Sequence, residues 1–178
     1  MDARATRTLL LVLLAVLGGP HGACAACRWL QRYHVLSAAC VRSLGDMGGQ
    51  FSTESLLIHT NLYMAAHNAT YEEKVEFLYE SSCQILHLFR TNQKAASGMW
   101  NNTELNNFLE VLYRQSSSLK ECVYLSKKTS PMRKKVKRYF KKLMAHIQSK
   151  NAWELMRKVV KDHLLTLDLL VKLMLNGN

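Results

Sequence analysis

"QFSTESLLIHTNLYMAAHN", Gln50 to Asn68, is the stretch on which the fold turns. It is mildly apolar, holds no regular period and reads as an irregular connection. Helix-to-helix turns in compact bundles usually take about 2–8 residues, so this one is long. A connection of that reach can carry the chain back along the bundle, so that the helices on either side run parallel. Before it, Leu30, Tyr33, Ser37, Cys40, Leu44 and Met47 recur at three- and four-residue steps, predicting an amphipathic helix over about 28–44. Gly45, Gly48 and Gly49 are expected to close that helix through the left-handed backbone that glycine tolerates.

After the connection the helical period dominates, and strand-like alternation is almost absent. Thr70 and Glu73 are spaced as a capping box, opening a helix to about Thr91 with Val75, Leu78, Tyr79, Ser82, Leu86 and Phe89 inward. A third helix starts near Asn101, with Leu105, Phe108, Leu109, Leu112 and Leu119 facing in and Cys122 at its end. Ser130 is the expected N-cap of the fourth, with Pro131 in the favoured first position. Its stripe is Met132, Val136, Tyr139, Phe140, Leu143 and Ile147. Asn151 and Glu154 are the expected cap pair of the last helix, which runs to about Leu175. Trp153, Met156, Val160, Leu164, Leu167, Val171 and Met174 face inward there. The pattern predicts an all-α bundle of about five main helices, and the long first connection fits an up-up-down-down arrangement, as in the helical cytokine bundles.

The N-terminus sets the compartment. Arg4 and Arg7 precede the apolar run "TLLLVLLAVL", Gly18, Gly19 and Pro20 break it, and Ala23-Cys24-Ala25 fits a small-x-small cleavage site. Residues 1–25 therefore read as a secretory signal, cut there or after Ala26, and 26–178 as one secreted domain. The run is too short for a membrane anchor. Of 24 basic and 13 acidic side chains, the signal takes two and one, leaving a net charge of +10. Outside the cell, such an excess points to acidic receptor surfaces, heparan-type glycans or anionic membranes rather than nucleic acid. Cys27, Cys40, Cys83 and Cys122 remain after cleavage, an even number that allows three pairings.

Nothing in the mature chain reads as catalysis. The nucleophile elbow, the zinc-protease helix and the phosphate-cradling or dinucleotide loops are all missing. His34, His59, His67, His87, His146 and His163 are scattered without ligand spacing, so neither a metal nor a cofactor is expected. Asn68-Ala-Thr70 and Asn101-Asn-Thr103 are acceptor sequons for N-glycan. "RKKVKRYFKK" places Arg133, Lys134, Lys135, Lys137, Arg138, Lys141 and Lys142 around the fourth helix's apolar stripe. That arrangement fits first a solvated outer face, and next one that meets a glycan or a receptor; stable membrane insertion is not expected.

The chain resembles the type I interferons, above all those of bony fish. The likeness rests on "CRW" at 27–29, "DMGG" at 46–49, "KVEFL" at 74–78 and "FLEVLYRQ" at 108–115. It continues through "KECV" at 120–123, "KRYFKKL" at 137–143, "AWELMRK" at 152–158 and "HLLTLD" at 163–168. The resemblance implies a secreted helical cytokine that brings two receptor chains together, activating receptor-bound kinases (JAK-STAT signalling) and an antiviral state. It also implies that the last helix and the long first connection face one receptor chain and the middle helices the other. Arg157, Lys158, Lys161, Asp162 and Leu165 are then receptor candidates on the last helix, and Phe51 and Leu56 in the connection. Two readings compete: a cationic host-defence protein acting on microbial membranes, and a helical cytokine of another receptor family.

Three features depart from the family pattern. Asn151 stands where many relatives carry a cysteine, which removes the second bridge of four-cysteine members. The two-cysteine fish group implies a single bridge, Cys27 to Cys122. Cys40 and Cys83 lie outside that pattern, as core thiols or as an additional bridge. Ile58-His59-Thr60-Asn61 precedes Leu62-Tyr63 where relatives often carry Phe-Pro, which leaves the path of the connection open.

Overall fold

The computed structural model describes residues 27–54, 60–92, 98–123, 130–145 and 150–176. The signal segment, Leu56 and Ile147 lie outside these residues. A 3-10 turn at Arg28–Arg32 leads into α1 (Tyr33–Asp46). Then come α2 (Thr60–His67), α3 (Tyr71–Thr91), α4 (Asn102–Val123), α5 (Pro131–Met144) and α6 (Lys150–Asn176). No strand occurs among the described residues.

Contacts between the helix ends give their directions. The His34 ring meets Asp168 at 3.0 Å, whereas Arg157 reaches the carbonyl of Leu44 at 2.7 Å. Hence α1 and α6 are antiparallel. The Asn101 N–H donates to the Met47 carbonyl at 2.7 Å, and the thiols of Cys122 and Cys27 are hydrogen-bonded, so α4 is also antiparallel to α1. At the far end of α3, the Phe89 ring lies 4.9 Å from Phe108 and 6.3 Å from Trp153. The end of α3 therefore meets the starts of α4 and α6, and α3 is parallel to α1. The four long helices run up-up-down-down. Helix α5 lies beside α3 and parallel to it, since Ser130 bonds to Glu76 and Arg133 to Glu80.

Among the described residues, the inward stripes read from the sequence are buried, apart from Tyr79, which is half-exposed beneath the Arg133 guanidinium. Each large apolar side chain removed from water contributes about 1.5–3 kcal/mol before ordering costs. The capping box at α3 forms, with Glu73 N–H on Thr70 Oγ1 at 3.3 Å and Thr70 N–H on Glu73 Oε2 at 3.2 Å. Ser130 caps α5 as expected, at 3.4 Å from the Arg133 N–H.

Three local expectations change. The connection is not irregular throughout: Thr60–His67 forms α2, burying Leu62 and Ala66, which lie one helical turn apart. The described glycines all keep negative φ, so none closes α1 through a left-handed turn. Gly48 serves close approach instead, because a Cβ there would sit 2.9 Å from Arg157 Cζ and 3.0 Å from Trp100 Cδ1. Finally, α6 starts at Lys150, with Asn151 already inside it. The Glu154 carboxylate accepts instead from Trp100 Nε1 at 2.6 Å and Arg157 Nε at 2.8 Å.

Candidate functional site on the outer face of the last helix

The first residues of the long connection lie across α6 and are tied there by its cations. Arg157 donates to the carbonyls of Leu44, Gly45 and Gly49, pairs with Glu154, and places its guanidinium 4.1 Å from the Phe51 ring centre. Lys158 Nζ donates to the carbonyls of Ser52 and Glu54, at 3.1 and 3.0 Å. Lys161 Nζ stands 4.4 Å from the same Phe51 ring. Cation–π contacts of this kind contribute about 0.5–2 kcal/mol, more as water is excluded.

The arrangement brings together Phe51, Arg157, Lys158 and Lys161, four of the expected receptor residues, and corrects the role of one. Arg157 is 0% exposed, so its guanidinium is a structural anchor rather than a contact surface. A fully desolvated guanidinium is tolerated because its donors meet carbonyls and a carboxylate. Lys158, Lys161, Asp162 and Phe51 are half-buried, and Leu165 is 48% exposed. Leu56 lies outside the described residues.

Sequence reasoning singled out Leu165 and missed its continuation. Leu169 and Leu173, 57% and 47% exposed, follow at four-residue steps and prolong it into an apolar ridge along α6. Leu169 and Leu173 border a groove whose other wall is Tyr63, Ala66 and His67 of α2. Beside the ridge, Asp168 is buried and held by His34 at 3.0 Å and Lys172 at 2.9 Å. The four-residue spacing of Leu165, Leu169 and Leu173 is the signal in the sequence that places all three on one face.

Between α2, α3, α5 and α6 lies the buried imidazole of His163. The Tyr63 hydroxyl hydrogen-bonds its Nδ1, and the rings of Phe77, Tyr139 and Phe140 surround it. Burial depresses its pKa to about 3, so it is neutral at physiological pH. The same burial pushes up the pKa of Tyr139 to about 12.

The basic helix α5 divides into three arcs. Arg133 and Lys137 turn toward buried Glu80, at 2.6 and 3.9 Å. Arg133 is therefore half-buried and paired, which corrects its expected place on an open basic face. Its pKa is raised, chiefly by the Glu80 hydrogen bond. Lys134 and Lys141 are exposed on the outermost arc. Lys135, Arg138 and Lys142 line a groove shared with Asn61 and Leu62 of α2.

The four described cysteines, Cys27, Cys40, Cys83 and Cys122, are thiols in this structure. Cys27 and Cys122 are neighbours, and burial followed by the hydrogen bond to Cys27 raises the Cys122 pKa to about 12. Cys40 is fully buried on α1, which also pushes its pKa to about 12. Cys83 is half-buried on α3 beside Tyr79, Glu80, Arg133 and Lys120, and its pKa is raised mainly by burial. Asn68 and Asn101 are both exposed. Asn101 Oδ1 accepts from the Thr103 N–H at 2.9 Å. Among the described residues, no group of histidine, cysteine and carboxylate side chains could hold a metal ion, and no helix is long and apolar enough to cross a membrane.

An up-up-down-down bundle with the first residues of a long connection strapped over its last helix is the architecture of the helical cytokines. Residues 31–174 match the family model of the interferon alpha/beta domain. Interferon a3 of the trout Oncorhynchus mykiss is 38% identical over 155 residues, covering 83% of this chain and 86% of the trout protein. The solved structure of zebrafish interferon 1 superposes with a TM-score of 0.77 at 30% identity, covering 82% of this chain and 98% of that one. The chain belongs to the interferon alpha/beta family, and is a type I interferon cytokine.

Proposed function

We propose that the chain is secreted after removal of residues 1–25 or 1–26, and brings two receptor chains together to start JAK-STAT signalling and an antiviral state. The observation that carries this reading is the outer face of α6. Lys158, Lys161 and Asp162 surround the start of an apolar ridge at Leu165, and Phe51 is clamped alongside. An apolar centre with charges at its rim is the anatomy of a binding hot spot, where one truncation can cost about 2 kcal/mol or more. In this reading Lys161, Asp162, Leu165 and Phe51 touch one receptor chain, and Leu169 and Leu173 extend the contact. Arg157 and Lys158 hold the strap in position. The second chain meets the middle helices. A Cys27–Cys122 bridge, formed on export, replaces the thiol pair, and Asn68 and Asn101 accept glycan.

Purified mature protein applied to cells of the source animal tests the reading through antiviral gene induction. Induction at sub-nanomolar protein, lost with Leu165→Ala and Lys161→Glu while the circular dichroism spectrum is unchanged, is the expected result. Wild-type induction by both folded variants would rule out this face. Activity on receptor-free anionic vesicles at matching doses would favour the host-defence reading instead.

A further inference from the structure

The basic arcs of α5 are not equivalent. The α5 hydrophobics Met132, Val136, Tyr139, Phe140 and Leu143 are all buried in the bundle. A helix that binds a bilayer must offer its apolar face to the acyl chains, and α5 has already spent that face on the core. What α5 leaves outside is charge. On the arc next to α2, Lys135, Arg138 and Lys142 project into one open groove of about 370 Å³, with Asn61, Leu62 and the edge of Tyr139 as its other walls. Clefts that hold small ligands span about 300–1,000 Å³, so this one can seat a segment of a chain molecule rather than a single ion. Among the described residues no carboxylate lines it.

We propose that this groove binds a sulfated polysaccharide, with Lys135, Arg138 and Lys142 on successive sulfates and Asn61 on a sugar hydroxyl or sulfate oxygen. The three cations occur at i, i+3 and i+7, so they share one face and extend for about 10 Å along the helix. A polymer with anionic groups repeated along its length can meet all three at once. Arg138 supplies the planar fork that takes a sulfate's oxygens in pairs, and the two lysines act as point charges beside it. The exposed Lys134 and Lys141 lie one arc away and contribute only to the long-range field. The site is separate from the outer face of α6, so glycan and the receptor chain proposed for that face can be held together.

The test uses the full mature chain and immobilised heparin as the probe, with desulfated heparin and phosphatidylcholine–phosphatidylserine vesicles as comparison surfaces. Lys135→Glu with Arg138→Glu is set against Lys134→Glu with Lys141→Glu, which makes the same change in net charge on the same helix. The groove pair is expected to weaken heparin binding by about tenfold or more, and to flatten the salt dependence by roughly one logarithmic unit per lost ion contact. The outer pair is expected to change it by about twofold or less, the size of a screened field effect. Unchanged melting temperatures confirm that both variants fold. Equal losses from the two pairs would overturn the proposal, leaving only a diffuse basic face. So would equal affinity for desulfated heparin, or tighter binding to the anionic vesicles than to heparin.

Discussion

Arg157 fastens the end of α1 and the start of the connection to α6 through three carbonyls, and the Glu154 carboxylate within α6 holds the guanidinium in place. Arg157→Ala strands these acceptors around a buried void, and is expected to cost about 3–5 kcal/mol, read from the urea midpoint. Arg157→Lys is expected to recover only part, since an ammonium cannot reproduce the fork. Gly48→Ala tests the same junction from the other side. Its Cβ would sit 2.9 Å from Arg157 Cζ, so a loss of about 1–3 kcal/mol is expected, and a wild-type midpoint would refute the close approach. His163 has a different signature. Its folded pKa, near 3, is below the unfolded value of about 6.5, so the unfolded chain takes up a proton that the native imidazole refuses. Stability contributed by the neutral ring is complete above about pH 6.5 and is lost toward pH 3, by up to about 1.4 kcal/mol per pH unit. Denaturation series between pH 7 and pH 4 should show that slope, and His163→Gln should flatten it.

The helices themselves were largely legible in the sequence, because 3.6-residue periodicity and capping are local properties. Thr70 with Glu73, and Ser130 with Pro131, are decided by neighbours a few residues away, and both caps form. Helix α2 was not legible: eight residues give barely two turns, and its stability comes from setting Leu62 and Ala66 against other helices. The same limit explains Glu154 and Arg133. Their partners, Trp100 and Glu80, are 54 and 53 residues away along the chain, a distance no spacing rule spans. On α6 the two faces predict opposite phenotypes. Leu167→Ala, on the buried side, is expected to lower stability by about 2–5 kcal/mol. Leu169→Ala with Leu173→Ala, on the exposed side, should leave the melting temperature nearly unchanged while weakening receptor binding. A large drop in melting temperature for that pair would show that the ridge is covered in solution.

For the molecule as a whole, the proposed Cys27–Cys122 bridge would join the N-terminal turn to the end of α4. A bridge closing a loop of about 95 residues is worth roughly 4–5 kcal/mol in the chain-entropy treatment. Secreted protein should therefore melt well above the same protein after reduction, and Cys122→Ser should remove the difference. Peptide mapping without reductant that recovers both thiols would contradict the bridge. Cys40 and Cys83 sit in different surroundings, the one fully buried on α1 and the other beside Tyr79 and Arg133, and Cys83→Ser should be the milder change. The strap over α6 has a consequence for affinity. Residues 49–54 are already pinned by Arg157, Lys158 and Lys161 before any partner arrives, so little freedom is left to surrender at the encounter. Loosening that segment with Lys158→Ala would charge the ordering entropy to the binding step, and affinity would fall even though the lysine's own ammonium is already occupied within the chain.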